Sequence, residues 1–148
     1  MLETVSCGGV VIHKGRVLLL YKNQNKKYVG WVLPKGTVES EETFRQAALR
    51  EVREETKVIA KILKYLGKTE YSFKRTEDIN KTVHWYLMSS ASSYCRPQQE
   101  ESFADAGFYK KHEAFHLLKF NDEKQIMLKA YDEYDLLRSK VQSRKKKL

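Results

Sequence analysis

GTVESEETFRQAALREVREETKV, residues Gly36 to Val58, is the run of this chain whose charges work against its own secondary structure. From about Ser40 to Thr56 its Glu, Ala, Arg, Gln and Leu content, with no Gly or Pro inside, predicts a helix. Phe44, Ala47, Ala48 and Val52 recur at helical spacing and mark a packing side. At about 100° per residue, Glu51, Glu54 and Glu55 share an arc of roughly 100°, so three carboxylates lie within reach of one another. Each like-charge pair costs about 0.2–0.5 kcal/mol on an exposed helix. The last turn is also where the helix dipole disfavours negative charge. The simplest compensation is a hard divalent cation with oxygen ligands, magnesium or manganese.

Toward the N-terminus, VSCGGVVIH and RVLLLY read as two strands around a Lys14-Gly15 turn. Gly8 and Gly9 inside the first of them signal a bulge or a close approach by another backbone or a ligand. KNQNKKYVG, residues 22–30, reads as a loop, followed by the short apolar run Trp31-Val32-Leu33 that Pro34 ends. Beyond the helix, VIAKILKYLG, KTEYSF and KTVHWYLM are β-like runs, and SSASSYCRPQQEES is a surface loop. Phe108-Tyr109 ends a last strand, and HEAFHLL suggests a short helix. A longer helix starts at Asp122, with Gln125 completing a capping box and Ile126, Ala130, Tyr134, Leu137 and Val141 on its apolar face. No internal repeat is present, and the order of elements gives an α/β sandwich with a mixed sheet in one domain over residues 1–148.

The 148 residues are enough to close a core without metal or disulfide staples. With 28 Lys+Arg against 19 Asp+Glu, the formal charge of +9 favours polyanionic partners: nucleotides, nucleic acid or anionic lipid. Cys7 and Cys95 sit in no metal or dithiol spacing and are expected to be reduced, structural thiols. Without an apolar run of about 18 residues or a secretory leader, the expectation is a cytoplasmic protein with no membrane partner. Nothing in the sequence fixes an oligomeric state.

Gly36, Glu42, Arg50, Glu51, Val52, Glu54, Glu55 and Val58 match eight of the nine defined positions of G-x5-E-x7-R-E-U-x-E-E-x-G-U, where U is aliphatic. By average residue frequencies such a match arises on the order of 10⁻⁴ times per chain of this size. The segment resembles the Nudix box, and the chain looks like a Nudix hydrolase. The SCGGVVIH/RVLLLY hairpin, the WVLPKG approach to Gly36, the KTVHWYLM strand and the FYKKHEAFHLL tail are similar to segments at the same places in that family.

The resemblance implies a Nudix-type α/β/α sandwich and magnesium-dependent hydrolysis of a pyrophosphate linkage in a nucleoside diphosphate joined to another moiety. It also implies metal ligands at Glu51, Glu54 and Glu55 and at the backbone carbonyl of Lys35, with Arg50 orienting the box carboxylates. The departure is Lys57, where the pattern has glycine. A lysine there costs roughly 1 kcal/mol if the left-handed geometry is kept.

Hydrolysis needs a carboxylate to take the proton of the attacking water. Glu54 is the first candidate, and a loop carboxylate, Glu100 or Glu101, competes with it. The expected catalytic set is Glu54, Glu51, Arg50 and Glu101. WVLPKG and KTVHWYLM look most like the branch that cleaves diadenosine polyphosphates and diphosphoinositol polyphosphates. Lys22, Lys26, Lys27 and Lys35 cluster around the loop before the box and suit such anionic substrates. Lys35, Lys27 and Tyr71 are the expected substrate contacts. Tyr71 and Phe73 either stack on an adenine or belong to the core, and His84 reads as a packed, hydrogen-bonded residue. The basic tail, Arg144 to Lys147, reads as a solvated helix end rather than an RNA contact, although an RNA 5′ end is chemically another pyrophosphate. The rival class is a Nudix module that senses a nucleotide without cleaving it.

Overall fold

Lys14 and Gly15 both take positive φ, 49° and 77°, the pair of values that closes a two-residue hairpin with the right twist. They join β1 (Leu2–His13) to β2 (Arg16–Gln24), antiparallel with Ile12 opposite Val17 and His13 opposite Arg16. The computed structural model describes residues 2–24, 28–74 and 76–146. Past the hairpin mouth, β1 and β2 part. Residues 28–37 fill the gap, with β3 (Tyr28–Val32) pairing to β2 and β4 (Lys35–Thr37) pairing to β1. This crossing explains the paired glycines. Gly9 N–H donates to the Pro34 carbonyl at 3.1 Å, and a Cβ on Gly8 would strike that same carbonyl oxygen. The cause is close approach by another backbone, with no bulge in the β1 ladder.

The stretch read as a 22–30 loop is therefore strand on both sides. Residues 22–24 end β2 and residues 28–30 open β3, the edge strand of the sheet, which meets solvent along one side. After the box helix, α1 (Phe44–Thr56), come β5 (Ala60–Lys74) and β6 (Asp78–Ser90). VIAKILKYLG and KTEYSF are one long strand, bulged between Ile62 and Lys64 and between Tyr65 and Gly67. β6 lies parallel to β1 along almost its whole length, Leu2 opposite Ile79 through Ile12 opposite Ser89. β7 (Phe103–Lys110) pairs with β2, and α2 (Lys111–Leu117) and α3 (Asn121–Lys146) follow. Among the described residues the sheet has seven strands, with β3-β2-β1-β6-β5 as its main path.

Two apolar layers flank the sheet. Cys7, Val11, Tyr86 and Met88 pack under Ala47, Ala48 and Val52 of α1. Val10, Ile12, Trp85 and Leu87, on the opposite face, pack against Ala114 of α2 and Ile126, Met127, Ala130 and Tyr131 of α3. The alternation of strand residues between faces thus makes an α/β/α sandwich.

Three expectations change at the periphery. Phe44 is 41% exposed and stacks on His84 rather than joining the core, because α1 begins beyond the packed layer. Val141 is likewise exposed, on the part of α3 that outruns the sheet. α3 starts at Asn121, so Asp122 lies inside the first turn and its carboxylate accepts from the adjacent Glu123 N–H, not as a cap partner of Gln125. Arg144 and Lys145 are exposed helical residues, and Lys147 lies outside the described residues. Both cysteines are free, and burial pushes the Cys7 thiol up to about 11. No helix among the described residues is long and apolar enough to cross a membrane.

Candidate active site

α1 does not begin at Ser40. Glu41 takes a left-handed φ of 65°, and Thr43 caps the helix: its hydroxyl accepts from Gln46 N–H at 3.1 Å while Gln46 Oε1 accepts from Thr43 N–H at 2.9 Å. The preceding turn brings Glu39 and Glu42 back over the helix toward Arg50. The Arg50 guanidinium donates to both oxygens of Glu42 at 2.6 and 2.8 Å, to Glu51 Oε1 at 2.7 Å, to Glu54 Oε2 at 3.1 Å and to the Thr37 carbonyl at 3.0 Å. These bonds hold the Glu42 carboxyl down to about 2 and push Arg50 above the usual guanidinium range. The charge crowding read from the sequence is thus relieved within the chain itself by Arg50.

The lower end of the box is tied to the residues that cross the splayed hairpin. Glu55 Oε1 accepts from the Lys35 N–H at 3.1 Å. A Cβ at Gly36 would overlap the Glu51 carboxylate, which is the physical reason for glycine at the head of the pattern. Lys57 closes the helix in the left-handed region, φ 65° and ψ 5°, with its N–H on the Arg53 carbonyl at 2.8 Å. The glycine geometry is kept despite the lysine side chain. Arg96 and Gln98 N–H groups then bond the Thr56 and Glu55 carbonyls at 2.9 and 3.0 Å, which fastens the loop before β7 to the end of α1.

Glu51, Glu54, Glu55, Arg50, Lys35 and Gly36 line one cleft of about 430 Å³, together with Lys22, Lys81 and Phe103. Lys22, Lys35 and Lys81 also border a second cleft of about 580 Å³, whose other walls include Tyr71, Phe73, Phe120, Asp122 and Glu123. Three lysines are therefore shared by an acidic cleft and an aromatic one and form the partition between them. Burial, then the charges of Lys35 and Lys22, pull the Lys81 ammonium below the usual lysine range. Glu123, 1% exposed, accepts from Leu33 N–H at 2.7 Å and from Lys35 Nζ at 3.0 Å. Its burial raises the carboxyl, against the pull of Lys35.

The structure brings Glu51, Glu54, Glu55, Arg50 and Lys35 together at one cleft and sets Tyr71 at its neighbour. Tyr71 and Phe73 are 38% and 37% exposed and stack on each other at 6.0 Å, so they are not core residues. His84 is packed as expected, with Nδ1 2.8 Å from the Tyr65 hydroxyl. Glu101 falls in a 3-10 turn over Gln99–Glu101, and its backbone is described while its side chain is not. Lys26 and Lys27 lie outside the described residues. Lys81 and Glu123 escaped the sequence reading. Only Glu123 left a signal there, an acidic residue on the same helical stripe as Ile126, Ala130 and Tyr134.

Oxygen donors from Glu51, Glu54, Glu55 and the Lys35 carbonyl have the chemistry of a hard-cation site, and two of the three carboxylates are buried. Among the described residues, no three acidic, His or Cys side chains are gathered tightly enough to hold an ion as they stand. Glu51 and Glu54 are instead bridged by the Arg50 guanidinium, and Glu55 accepts from the Lys35 amide.

An α/β/α sandwich with an acidic helix end beside three lysines defines the class of fold and site, and comparison with known proteins specifies the family. The NUDIX domain model matches residues 3–131, and the chain belongs to that family. Chloroplastic Nudix hydrolase 21 of Arabidopsis thaliana is 35% identical over 86 residues, covering 58% of this chain and 43% of that protein. An ADP-ribose pyrophosphatase of Methanocaldococcus jannaschii is 41% identical over 58 residues, 38% of this chain and 34% of that one. The chain thus spans less than half the length of these two relatives. A C. elegans Ap4A hydrolase, solved as a binary complex, has the same fold with a TM-score of 0.72 at 18% identity, covering 89% of this chain and 98% of that one.

Proposed function

We propose that this chain is a divalent-metal-dependent pyrophosphohydrolase that cleaves a phosphoanhydride bond in a nucleoside diphosphate linked to another moiety, with a dinucleoside polyphosphate as its substrate. The observation that carries this reading is the three-lysine partition shared by an acidic cleft and an aromatic cleft. A phosphate chain laid along Lys22, Lys35 and Lys81 presents one anhydride to α1 and leaves its aromatic end beside Tyr71, Phe73 and Phe120. The names of two relatives, an ADP-ribose pyrophosphatase and an Ap4A hydrolase, support the same bond type.

Magnesium or manganese, when bound, would neutralise charge on the phosphates and lower the pKa of the attacking water. Glu51, Glu54, Glu55 and the Lys35 carbonyl would hold it, and Arg50 would release Glu51 and Glu54 while keeping Glu42. Glu54, whose side chain is 43% exposed, is the box carboxylate most open to a water and takes its proton. Lys22, Lys35 and Lys81 bind and align the chain for in-line attack.

The test is to incubate purified protein with diadenosine tetraphosphate, ADP-ribose, a diphosphoinositol polyphosphate and 5′-triphosphorylated RNA, each with magnesium and with EDTA. Magnesium-dependent cleavage that is fastest on diadenosine tetraphosphate is the expected result. Preference for the inositol or RNA substrate overturns the substrate assignment. Binding without product from any of the four overturns the enzyme reading in favour of a nucleotide sensor.

A further inference from the structure

Glu123 is a buried carboxylate that the reaction above does not use. It sits in the first turn of α3, on the far side of the sheet from the box helix. Its two oxygens divide their work: Oε1 accepts from the Leu33 N–H at 2.7 Å and Oε2 from the Lys35 ammonium at 3.0 Å. One side chain thus grips both the backbone and the head group of the Leu33–Lys35 segment. The other end of that segment is fixed from the opposite layer, by the Lys35 N–H on Glu55. The Lys35 ammonium also lies 5.7 and 5.8 Å from the Tyr71 and Trp85 rings, which confine it laterally.

We propose that Glu123 is a positioning residue for polyphosphate binding: it clasps the Leu33–Lys35 segment from α3 and aims the Lys35 ammonium into the partition between the two clefts. Lysine is a flexible point charge, and Lys22 and Lys81 stand beside it. Without a fixed counter-charge their repulsion turns Lys35 away from the place where all three meet a phosphate chain. The inference rests on the placement of that chain given under the proposed function.

Its sign separates it from a simple field effect. Deleting a carboxylate beside an anion site should tighten anion binding if only net charge matters. If Glu123 works by aiming Lys35, the same deletion weakens binding. Glu123→Gln keeps an oxygen for the Leu33 N–H and removes the charge. The experiment measures binding of inorganic tripolyphosphate by calorimetry in EDTA for the wild type, E123Q, K35Q and the double variant, with thermal unfolding of each as the check on folding. E123Q is expected to weaken binding about fivefold to tenfold in the wild-type background and less than about twofold in the K35Q background.

Equal weakening in both backgrounds makes Glu123 a structural strut and overturns the inference, as does tighter binding in E123Q. A wild type that binds no tripolyphosphate overturns the phosphate placement itself, which is a different failure. Should E123Q not fold, the cycle is run with Glu123→Asp, which keeps the charge and shortens its reach. A smaller loss, again present only with Lys35 in place, is then expected, and no loss overturns the inference.

Discussion

The two clefts meet at the same three lysines yet are built in opposite ways. The acidic cleft draws its carboxylates, its guanidinium and its glycine from one contiguous run, Gly36 to Glu55, folded as a strand end, a turn and a helix. The aromatic cleft takes Lys22 and Gln24 from β2, Tyr71 and Phe73 from β5, Lys81 from β6, and Asp122 and Glu123 from α3. A strand, a turn and one helix within that run set the spacing of the first, whereas the second exists only once β6 lies parallel to β1 and α3 closes over the sheet. Chemistry is thus encoded locally, and the shape that receives the rest of the substrate is encoded by topology.

Breaking the acidic side is expected to have the largest effect. Glu54→Gln or Glu55→Gln should lower magnesium-dependent turnover by about 10²-fold or more, because each removes a cation-binding or proton-accepting oxygen. Circular dichroism should show an unchanged fold, and full activity in both variants would detach the box from the chemistry. Gly36→Ala comes next. Its Cβ displaces the Glu51 carboxylate, so an overpacking cost of about 1–3 kcal/mol in chemical denaturation and at least tenfold lower activity are expected.

On the aromatic side the effect should be smaller and different in kind. Tyr71→Ala is expected to raise KM about fivefold to tenfold with kcat within about twofold, since a lost stacking contact is worth about 1 kcal/mol. A fall in kcat with unchanged KM would merge the two clefts into one functional unit. The smallest effect tests the helix end that anchors the loop before β7, on the acidic side. Lys57→Gly should stabilise the protein by about 0.5–1 kcal/mol in denaturant unfolding with no change in activity, because lysine now occupies a left-handed position. Destabilisation there would mean that the Lys57 charge at the helix end outweighs its backbone cost.

The same contrast governs how much was legible in the sequence. The box, the Lys14-Gly15 turn and the paired glycines of β1 each carry a local physical signature; the order of elements gives an α/β sandwich with a mixed sheet, and the resemblance supplies its α/β/α layering. The 22–30 stretch reads as a loop from its polar residues, yet residues 22–24 and 28–30 are strand, because a strand end and the edge strand β3 tolerate the polar residues that elsewhere mark loops. β5 reads as two runs in the sequence because its bulges interrupt the period that identifies a strand. Phe44 fits the helical stripe of α1, yet periodicity does not say how far the sheet extends beneath it. Lys81 gave no warning at all: a lysine in an alternating strand is ordinarily solvated, and only the β1–β6 pairing turns it inward beside Lys22 and Lys35. Arg50 was read as an orienting group, but its role as internal counter-ion to Glu42, Glu51 and Glu54 depends on the turn that brings Glu42 back across the helix.

Activity as proposed requires the α1 carboxylates to exchange Arg50 for a metal ion when a phosphate chain lies against the lysine partition. Anomalous diffraction at the manganese edge, from crystals holding manganese and a non-hydrolysable diadenosine polyphosphate, tests this directly. The expected map has manganese coordinated by Glu51, Glu54 and Glu55, with Arg50 retained by Glu42 and the Thr37 carbonyl and the phosphates against Lys22, Lys35 and Lys81. A map with the analogue bound, no anomalous peak at α1 and Arg50 still bridging Glu51 and Glu54 would contradict it.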